Sequence, residues 1–173
     1  MTMSDVVPMI EQYDRARLRF NTGQRCMKEL IRVLIVDDHI VVRKALRSLL
    51  TAKYEIEIVG EADNGIEAVD MANSLQPDVI LMDLVMPGQN GIDATQEIVF
   101  KEPNARVLIL TSFSDEDQIR AAVKAGAIGY VLKDASPDEL IHAIHGAHMG
   151  KVSLPANMLR FVQSNSPIED ARG

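Results

Sequence analysis

From residue 31 onward, short apolar runs alternate with longer stretches in which apolar residues recur at helical spacing. The short runs are rich in Val, Ile and Leu on both strand faces, so we expect each strand to be covered on both sides. Strand and helix patterns that alternate in this way predict parallel strands joined by crossover helices. The predicted strands are Arg32–Val36, Glu57–Glu61, Asp78–Met82, Ala105–Thr111 and Ile128–Leu132.

Residues that begin or end helices stand between these runs. Asn64-Gly65 and Asn90-Gly91 predict helix starts, and Gln76-Pro77 predicts a helix end. Ser136-Pro137 predicts the N-cap and the first residue of the last helix. We therefore predict an α/β fold, a doubly wound parallel sheet of five strands in the flavodoxin-like order 2-1-3-4-5.

The length of 173 residues corresponds to one domain of ordinary size. Residues 31–150 carry the strand and helix pattern and are predicted to form that domain. Residues 1–30 are predicted to be an N-terminal extension, and residues 151–173 a C-terminal linker or tail. The apolar share of 47% and the charged share of 25% are typical of globular proteins, so a disordered or fibrous chain is excluded.

Charge and cysteine content narrow the function classes. The formal charge is −7, which disfavours binding of nucleic acid by this chain. The single cysteine, Cys26, cannot form an intrachain disulfide, so a reducing compartment is expected. No window approaches the run of about eighteen apolar residues that a membrane span needs. These features predict a cytoplasmic protein that does not bind a membrane.

Polar residues follow four of the five predicted strands. Because parallel strands end at the same edge of a sheet, and strands one and three are neighbours in the predicted order, three carboxylates should meet there. Two carboxylates about 4 Å apart repel by about 4 kcal/mol at an effective dielectric constant of 20, so a cation is needed. Oxygen ligands favour Mg²⁺, whereas His39 alone cannot make a zinc site. The residues at the strand ends are Asp37, Asp38, Asp83, Thr111 and Lys133.

A carboxylate beside Mg²⁺ can act as the nucleophile that accepts a phosphoryl group. Asp83 is the candidate, because it follows the central third strand, whereas Asp37 and Asp38 stand together and suit metal binding. Lys133 and Thr111 would then contact the phosphoryl oxygens. The alternative for an aspartate such as Asp38 is that it only caps a helix.

Over residues 32–148 the sequence resembles the receiver domain of two-component response regulators. The subfamily it most resembles is the NarL/FixJ-like one. The motifs that carry the resemblance are Val-Leu-Ile-Val-Asp-Asp at 33–38, Asp-Val-Ile-Leu-Met-Asp-Leu-Val-Met-Pro-Gly at 78–88, Asn-Gly at 90–91, Leu-Thr-Ser at 110–112 and Gly-Tyr-Val-Leu-Lys at 129–133.

The resemblance implies a role for each matching position. It implies that Asp83 accepts phosphate from a sensor histidine kinase, and that the main-chain carbonyl of Val85 joins the three aspartates as a Mg²⁺ ligand. It also implies that Thr111 and Tyr130 move when the protein switches, although Tyr130 could be an ordinary half-buried aromatic residue. Receivers of this kind commonly dimerise, so we expect phosphorylation to favour a homodimer.

The chain departs from the NarL/FixJ-like pattern after the receiver. The 23 residues after Gly150 cannot hold a helix-turn-helix output domain, so the chain is expected to be either a receiver fragment of a transcriptional regulator or a stand-alone receiver. A Mg²⁺-dependent phosphohydrolase that uses an aspartyl phosphate is the rival function. The dehalogenase-type enzymes of that class carry Asp-x-Asp after the first strand and a cap region, and this sequence has neither.

Overall fold

The computed structural model describes residues 30–51, 55–112 and 116–151, so most of the predicted extension and tail lies outside the described residues. Strands and helices alternate along the described chain, as the sequence pattern predicts. They are β1 (Ile31–Val36), α1 (Ile40–Thr51), β2 (Ile56–Ala62), α2 (Gly65–Leu75), β3 (Val79–Asp83), α3 (Gly91–Lys101), β4 (Val107–Thr111), α4 (Glu116–Lys124), β5 (Gly129–Leu132) and α5 (Pro137–His148).

The five strands form one sheet in the order β2-β1-β3-β4-β5, and every neighbouring pair is parallel. The predicted topology is therefore confirmed. Strand order reverses beside β1, and the carboxyl ends of β1 and β3 are adjacent at that point. This is the place where doubly wound folds bind their ligands.

Two apolar cores cover the two faces of the sheet. Successive residues of β1 point to opposite faces, so that Ile35 joins one core and Leu34 the other. The first core includes Leu50 of α1 and Ile144 of α5, and both side chains are fully buried. The second core includes residues of α2, α3 and α4, of which Ile98 is an example. The central strands β3 and β4 are buried at every position, which explains their continuous apolar sequences.

The predicted helix boundaries are confirmed where capping residues define them. Asn64 and Asn90 accept a hydrogen bond from the backbone N–H three residues later at the starts of α2 and α3. Ser136 and Glu139 form a reciprocal capping box at the start of α5. The fourth strand begins two residues later than predicted, because the Ala105 N–H donates to the carbonyl of Glu102 in a turn.

No helix within the described ranges is long and apolar enough to cross a membrane.

Candidate phosphoryl and metal site

The predicted site residues meet at the carboxyl edge of the sheet. Asp37 directly follows β1, and Asp83 is the last residue of β3, one position later than the predicted strand end. Thr111 ends β4, and Lys133 follows β5. The Lys133 N–H donates to the Thr111 carbonyl over 2.8 Å, which joins the ends of these two strands.

The three carboxylates converge as the parallel topology predicts. Asp37 is fully buried, Asp83 is 4% exposed, and Asp38 is partly buried. One oxygen from each carboxylate and one ring nitrogen of His39 all lie within 4.8 Å of one another. A set of like charges this close requires a compensating cation.

In the described structure Lys133 supplies positive charge to two of the carboxylates. Its Nζ lies 2.6 Å from Asp37 Oδ2 and 3.0 Å from Asp83 Oδ2, and its side chain is only 17% exposed. Burial alone would lower the pKa of Lys133, but its contacts with Asp37 and Asp83 outweigh burial and raise that pKa. The lysine therefore stays protonated beside these carboxylates.

Asp83 lies where ionisation is costly. Burial raises the pKa of its carboxyl group above the ordinary value of 3.8, although the Lys133 ammonium lowers it and Asp37 raises it further. The Val85 N–H lies 3.4 Å from Asp83 Oδ1, and this long hydrogen bond also favours the charged form. A further cation at the site would lower the pKa of Asp83.

The loop after β3 is held close to Asp83 by Gly91. A Cβ atom at this position would lie 2.0 Å from the Asp83 carbonyl oxygen, so no other residue fits without moving the backbone. The Gly91 N–H donates to the Leu84 carbonyl over 3.1 Å, while Asn90 caps α3. The Asn-Gly motif thus allows α3 to start directly against the end of β3.

Two neighbours of the site were not predicted from the sequence. The Arg43 guanidinium donates to the Asp37 carbonyl over 2.6 Å, and its Nε lies 3.5 Å from the Glu61 carboxylate of β2. His39 Nδ1 lies 2.8 Å from Asp38 Oδ1, although the sequence predicts no role at the site for this side chain. The position of His39 directly after the two aspartates was the available signal, whereas Arg43 gave none.

The donor set fits a divalent cation. All three aspartates offer oxygen ligands, which suit Mg²⁺ better than softer metals do. Asp38 Oδ1 is inaccessible to solvent and lies 2.8 Å from His39 Nδ1, so a cation bound to this oxygen would take the place of that ion pair. Asp37, Asp38 and Asp83 are the residues that could hold the ion.

The remaining predicted residues lie nearby, and their functional roles stay predictions. Thr111 is buried at the end of β4, and Val85 is 57% exposed in the loop after β3. Tyr130 is half-buried and packs against the core formed with α2, α3 and α4. Tyr130 is therefore close to the elements that the predicted switch involves, and its position fits either of its two interpretations.

Comparison with known proteins identifies the family. Residues 33–145 match the response regulator receiver domain. The transcriptional regulatory protein LiaR of Bacillus subtilis is 43% identical over 129 residues, which cover 75% of this chain and 61% of LiaR. The nitrate/nitrite response regulator protein NarL of Escherichia coli K12 is 38% identical over 122 residues, 70% of this chain and 56% of NarL. The chain thus spans about three-fifths of the length of these regulators.

A solved structure agrees with the sequence relatives. The crystal structure of a LuxR-family two-component response regulator from Aurantimonas sp. SI85-9A1 has a TM-score of 0.70 and 33% identity, covering 78% of this chain and 96% of that one. The predicted resemblance and fold are both confirmed by these matches. The chain belongs to the family of response regulator receiver domains, the receivers of two-component signalling systems.

Proposed function

We propose that this chain is a phosphoacceptor switch in which Asp83 accepts a phosphoryl group from a sensor histidine kinase in a Mg²⁺-dependent reaction. Response regulators of this family are phosphorylated by sensor kinases, and their receiver domains bind Mg²⁺ at an acidic pocket. The observation that carries the proposal is the convergence of three carboxylates with the Lys133 ammonium in contact with Asp37 and Asp83.

Each residue has a chemical task in this proposal. An Asp83 carboxylate oxygen forms a new P–O bond while the P–N bond to the kinase histidine breaks, and the imidazole leaves with the electron pair. Lys133 then neutralises phosphoryl oxygens, and Thr111 donates a hydrogen bond to one of them. Asp37, Asp38, Asp83 and the Val85 carbonyl would hold Mg²⁺. The ion supplies positive charge that offsets the repulsion between the phosphoryl group and the carboxylates.

The aspartyl phosphate carries about −1.5 to −2 charges in place of the single charge of the Asp83 carboxylate, beside the two carboxylates of Asp37 and Asp38. Lys133 now contacts Asp37 and Asp83, so a new anion on Asp83 must redirect it. We infer that the fourth and fifth strand–helix units, which carry Thr111 and Tyr130, rearrange in response and that a homodimer is favoured. Light scattering with Mg²⁺ and beryllofluoride tests the association, and a mass that stays monomeric at high protein concentration would contradict it.

The phosphohydrolase alternative receives no support from the family. The matched family is one of signalling receivers, in agreement with the resemblance to receiver domains rather than with a hydrolase. The relatives are named as transcriptional and response regulators. We propose that this chain, like them, serves transcription control as the receiver part of a regulator or as a separate receiver. Its cytoplasmic location stays a prediction.

The acceptor is tested by incubating the protein with acetyl phosphate and Mg²⁺ and measuring its intact mass. The wild type should gain the mass of one phosphoryl group, whereas Asp83→Asn should gain none. Asp70→Asn is the matched control, because Asp70 is an exposed carboxylate on α2 away from the site, and it should react like the wild type. A phosphoryl adduct on Asp83→Asn would remove Asp83 from the proposed role.

A further inference from the structure

The loop between β3 and α3 passes beside the start of α2, and Gln89 is the loop residue that makes the contact. A Cβ atom at Gly65, the first residue of α2, would lie 2.5 Å from the Gln89 carbonyl oxygen and 3.0 Å from both Gln89 Cβ and Gln89 Cγ. The backbone of Gly65 therefore lies directly against Gln89. The contact is made by the residue just before Asn90, which is the N-cap of α3.

The side chain of Gln89 connects the same loop to α3. Its Nε2 donates to Glu97 Oε2 over 3.1 Å, and Glu97 Oε1 accepts a hydrogen bond of 2.8 Å from Lys101 Nζ. The hydrogen bonds from Lys101 and Gln89 lower the pKa of Glu97, so this acceptor is charged at neutral pH. Hydrogen bonds to a charged acceptor are stronger than those between neutral groups. Two different helices thus hold Gln89 in place.

The loop that Gln89 holds carries main-chain groups of the candidate site. The Val85 N–H lies 3.4 Å from Asp83 Oδ1, and the Val85 carbonyl is proposed above as a Mg²⁺ ligand. The Val85 side chain is 57% exposed, so its packing does little to fix the position of this carbonyl. Leu84 and Met86 are buried in the core and hold the first half of the loop. Gln89 holds the second half.

We propose that Gln89 is a positioning residue, which holds the loop against α2 and α3 so that the Val85 carbonyl points to the ion site. The inference rests on the proposed function, because it takes this carbonyl as a ligand of Mg²⁺. Residues that orient a metal ligand typically contribute about 10–100-fold to metal affinity. The contacts of Gln89 described here are with α2 and α3, so its loss should weaken Mg²⁺ binding without changing the maximal rate of phosphoryl uptake.

The test measures Mg²⁺ affinity by calorimetry and phosphoryl uptake from acetyl phosphate by intact mass, at several Mg²⁺ concentrations. Gln89→Ala should weaken Mg²⁺ binding about tenfold. The Mg²⁺ concentration that gives half-maximal uptake should rise by the same factor, and saturating Mg²⁺ should restore the wild-type rate. An unchanged affinity overturns the positioning role, and so does a lower rate at saturating Mg²⁺.

Glu97→Ala tests whether the hydrogen bond is the cause. This variant removes the acceptor, so it should also weaken Mg²⁺ binding, and the losses should be less than additive in the double variant with Gln89→Ala. Fully additive losses would show that the two residues act independently and would overturn the proposal. Lys101→Met is the matched control, because Lys101 pairs with the same carboxylate from the end of α3, and it should leave Mg²⁺ affinity unchanged. A loss equal to that of Gln89→Ala would assign the effect to the charge of Glu97 and contradict the proposal.

A second measurement needs no metal and separates positioning from a general loss of stability. Amide hydrogen exchange at Val85, recorded by NMR in a chelator, reports local opening of the loop beside Asp83. Gln89→Ala should accelerate it and leave exchange unchanged at Ile80, whose N–H donates to the Arg106 carbonyl inside the sheet. Equal acceleration at both amides would mean global destabilisation and would overturn the role.

The outcomes also separate this inference from the proposed function. A wild type that takes a phosphoryl group on Asp83, together with a Gln89→Ala variant that binds Mg²⁺ equally well, refutes only the present inference. A wild type that binds no Mg²⁺ contradicts the proposed site as well.

Discussion

The ammonium nitrogen of Lys133 lies 3.0 Å from Oδ2 of Asp83, the proposed phosphoacceptor. The lysine thus neutralises the carboxylate that a divalent ion and a phosphoryl group are proposed to use. Since the same ammonium also contacts Asp37, it competes with a metal for two of the three carboxylates. Lys133 should therefore stabilise the metal-free fold and oppose metal binding at the same time.

Replacing Lys133 by methionine separates these two effects. Lys133→Met should lower the free energy of unfolding without metal by about 3 kcal/mol, because two buried carboxylates lose their cation. Mg²⁺ affinity should rise severalfold, because the competing charge is gone. Urea unfolding in a chelator and calorimetric Mg²⁺ titration measure the two quantities. Lys124→Met, an exposed lysine of α4, is the control and should change neither; weaker Mg²⁺ binding by Lys133→Met would contradict the competition.

The raised pKa of Asp83 predicts how stability depends on pH. The folded state holds the carboxyl proton of Asp83 more tightly than the unfolded state does. The contribution of this proton to the free energy of unfolding is therefore fully present below pH 3.8, and it is lost as pH rises through the raised pKa of the folded state. The amide of Asp83→Asn does not titrate, so this variant does not lose that stability as pH rises. At neutral pH without metal, the variant should therefore be more stable than the wild type. Saturating Mg²⁺ should remove the advantage, since it stabilises only the wild-type carboxylate.

Urea denaturation at several pH values, with and without Mg²⁺, measures this difference. The gain in Asp83→Asn should grow as pH rises through the interval above 3.8. Asp93→Asn is the control, because Asp93 is an exposed carboxylate at the start of α3. A gain that is the same at all pH values would show that burial of the charge is not its cause.

The convergence of the site was predictable because topology alone produces it. Once β1, β3 and β5 are parallel members of one sheet, the residues at their carboxyl ends must lie at one edge. Asp37, Asp83 and Lys133 could therefore be placed together without knowledge of side-chain packing. The strand order was predictable for a similar reason, since few arrangements of five strand–helix units are compatible with right-handed crossovers.

The supporting contacts could not be predicted, because they depend on where a helix begins and on distant partners. Arg43 reaches the Asp37 carbonyl only because α1 begins at Ile40, three residues after Asp37. Its second partner, Glu61, belongs to β2 and is 18 residues away in sequence, so no local spacing links them. The left-handed backbone of Gln76 could not be predicted either, because the sequence predicts where the helix ends but not the conformation of the residue that ends it.

Removing the Arg43 guanidinium should loosen the loop that carries Asp37 and Asp38. Arg43→Met deletes the donor to the Asp37 carbonyl, so Mg²⁺ affinity should fall about tenfold, as is usual for residues that orient metal ligands. Arg47→Met is the matched control, because Arg47 pairs with Glu61 but has no contact with Asp37. Calorimetric Mg²⁺ titration should show the loss only in Arg43→Met. Equal losses in both variants would attribute the effect to Glu61.

The end of α2 offers a test of backbone strain. Gln76 follows α2 with a φ of +46°, in the left-handed region that favours glycine. Gln76→Gly should therefore raise the free energy of unfolding by about 0.5–1 kcal/mol, because the strain of the Cβ atom outweighs the added freedom of the unfolded chain. Ser74→Gly is the control, since Ser74 lies inside α2, and it should lower stability by about 0.5–1 kcal/mol. Urea unfolding measures both, and a loss of stability in Gln76→Gly would show that the side-chain hydrogen bond from Gln76 to the Asn73 carbonyl outweighs the strain.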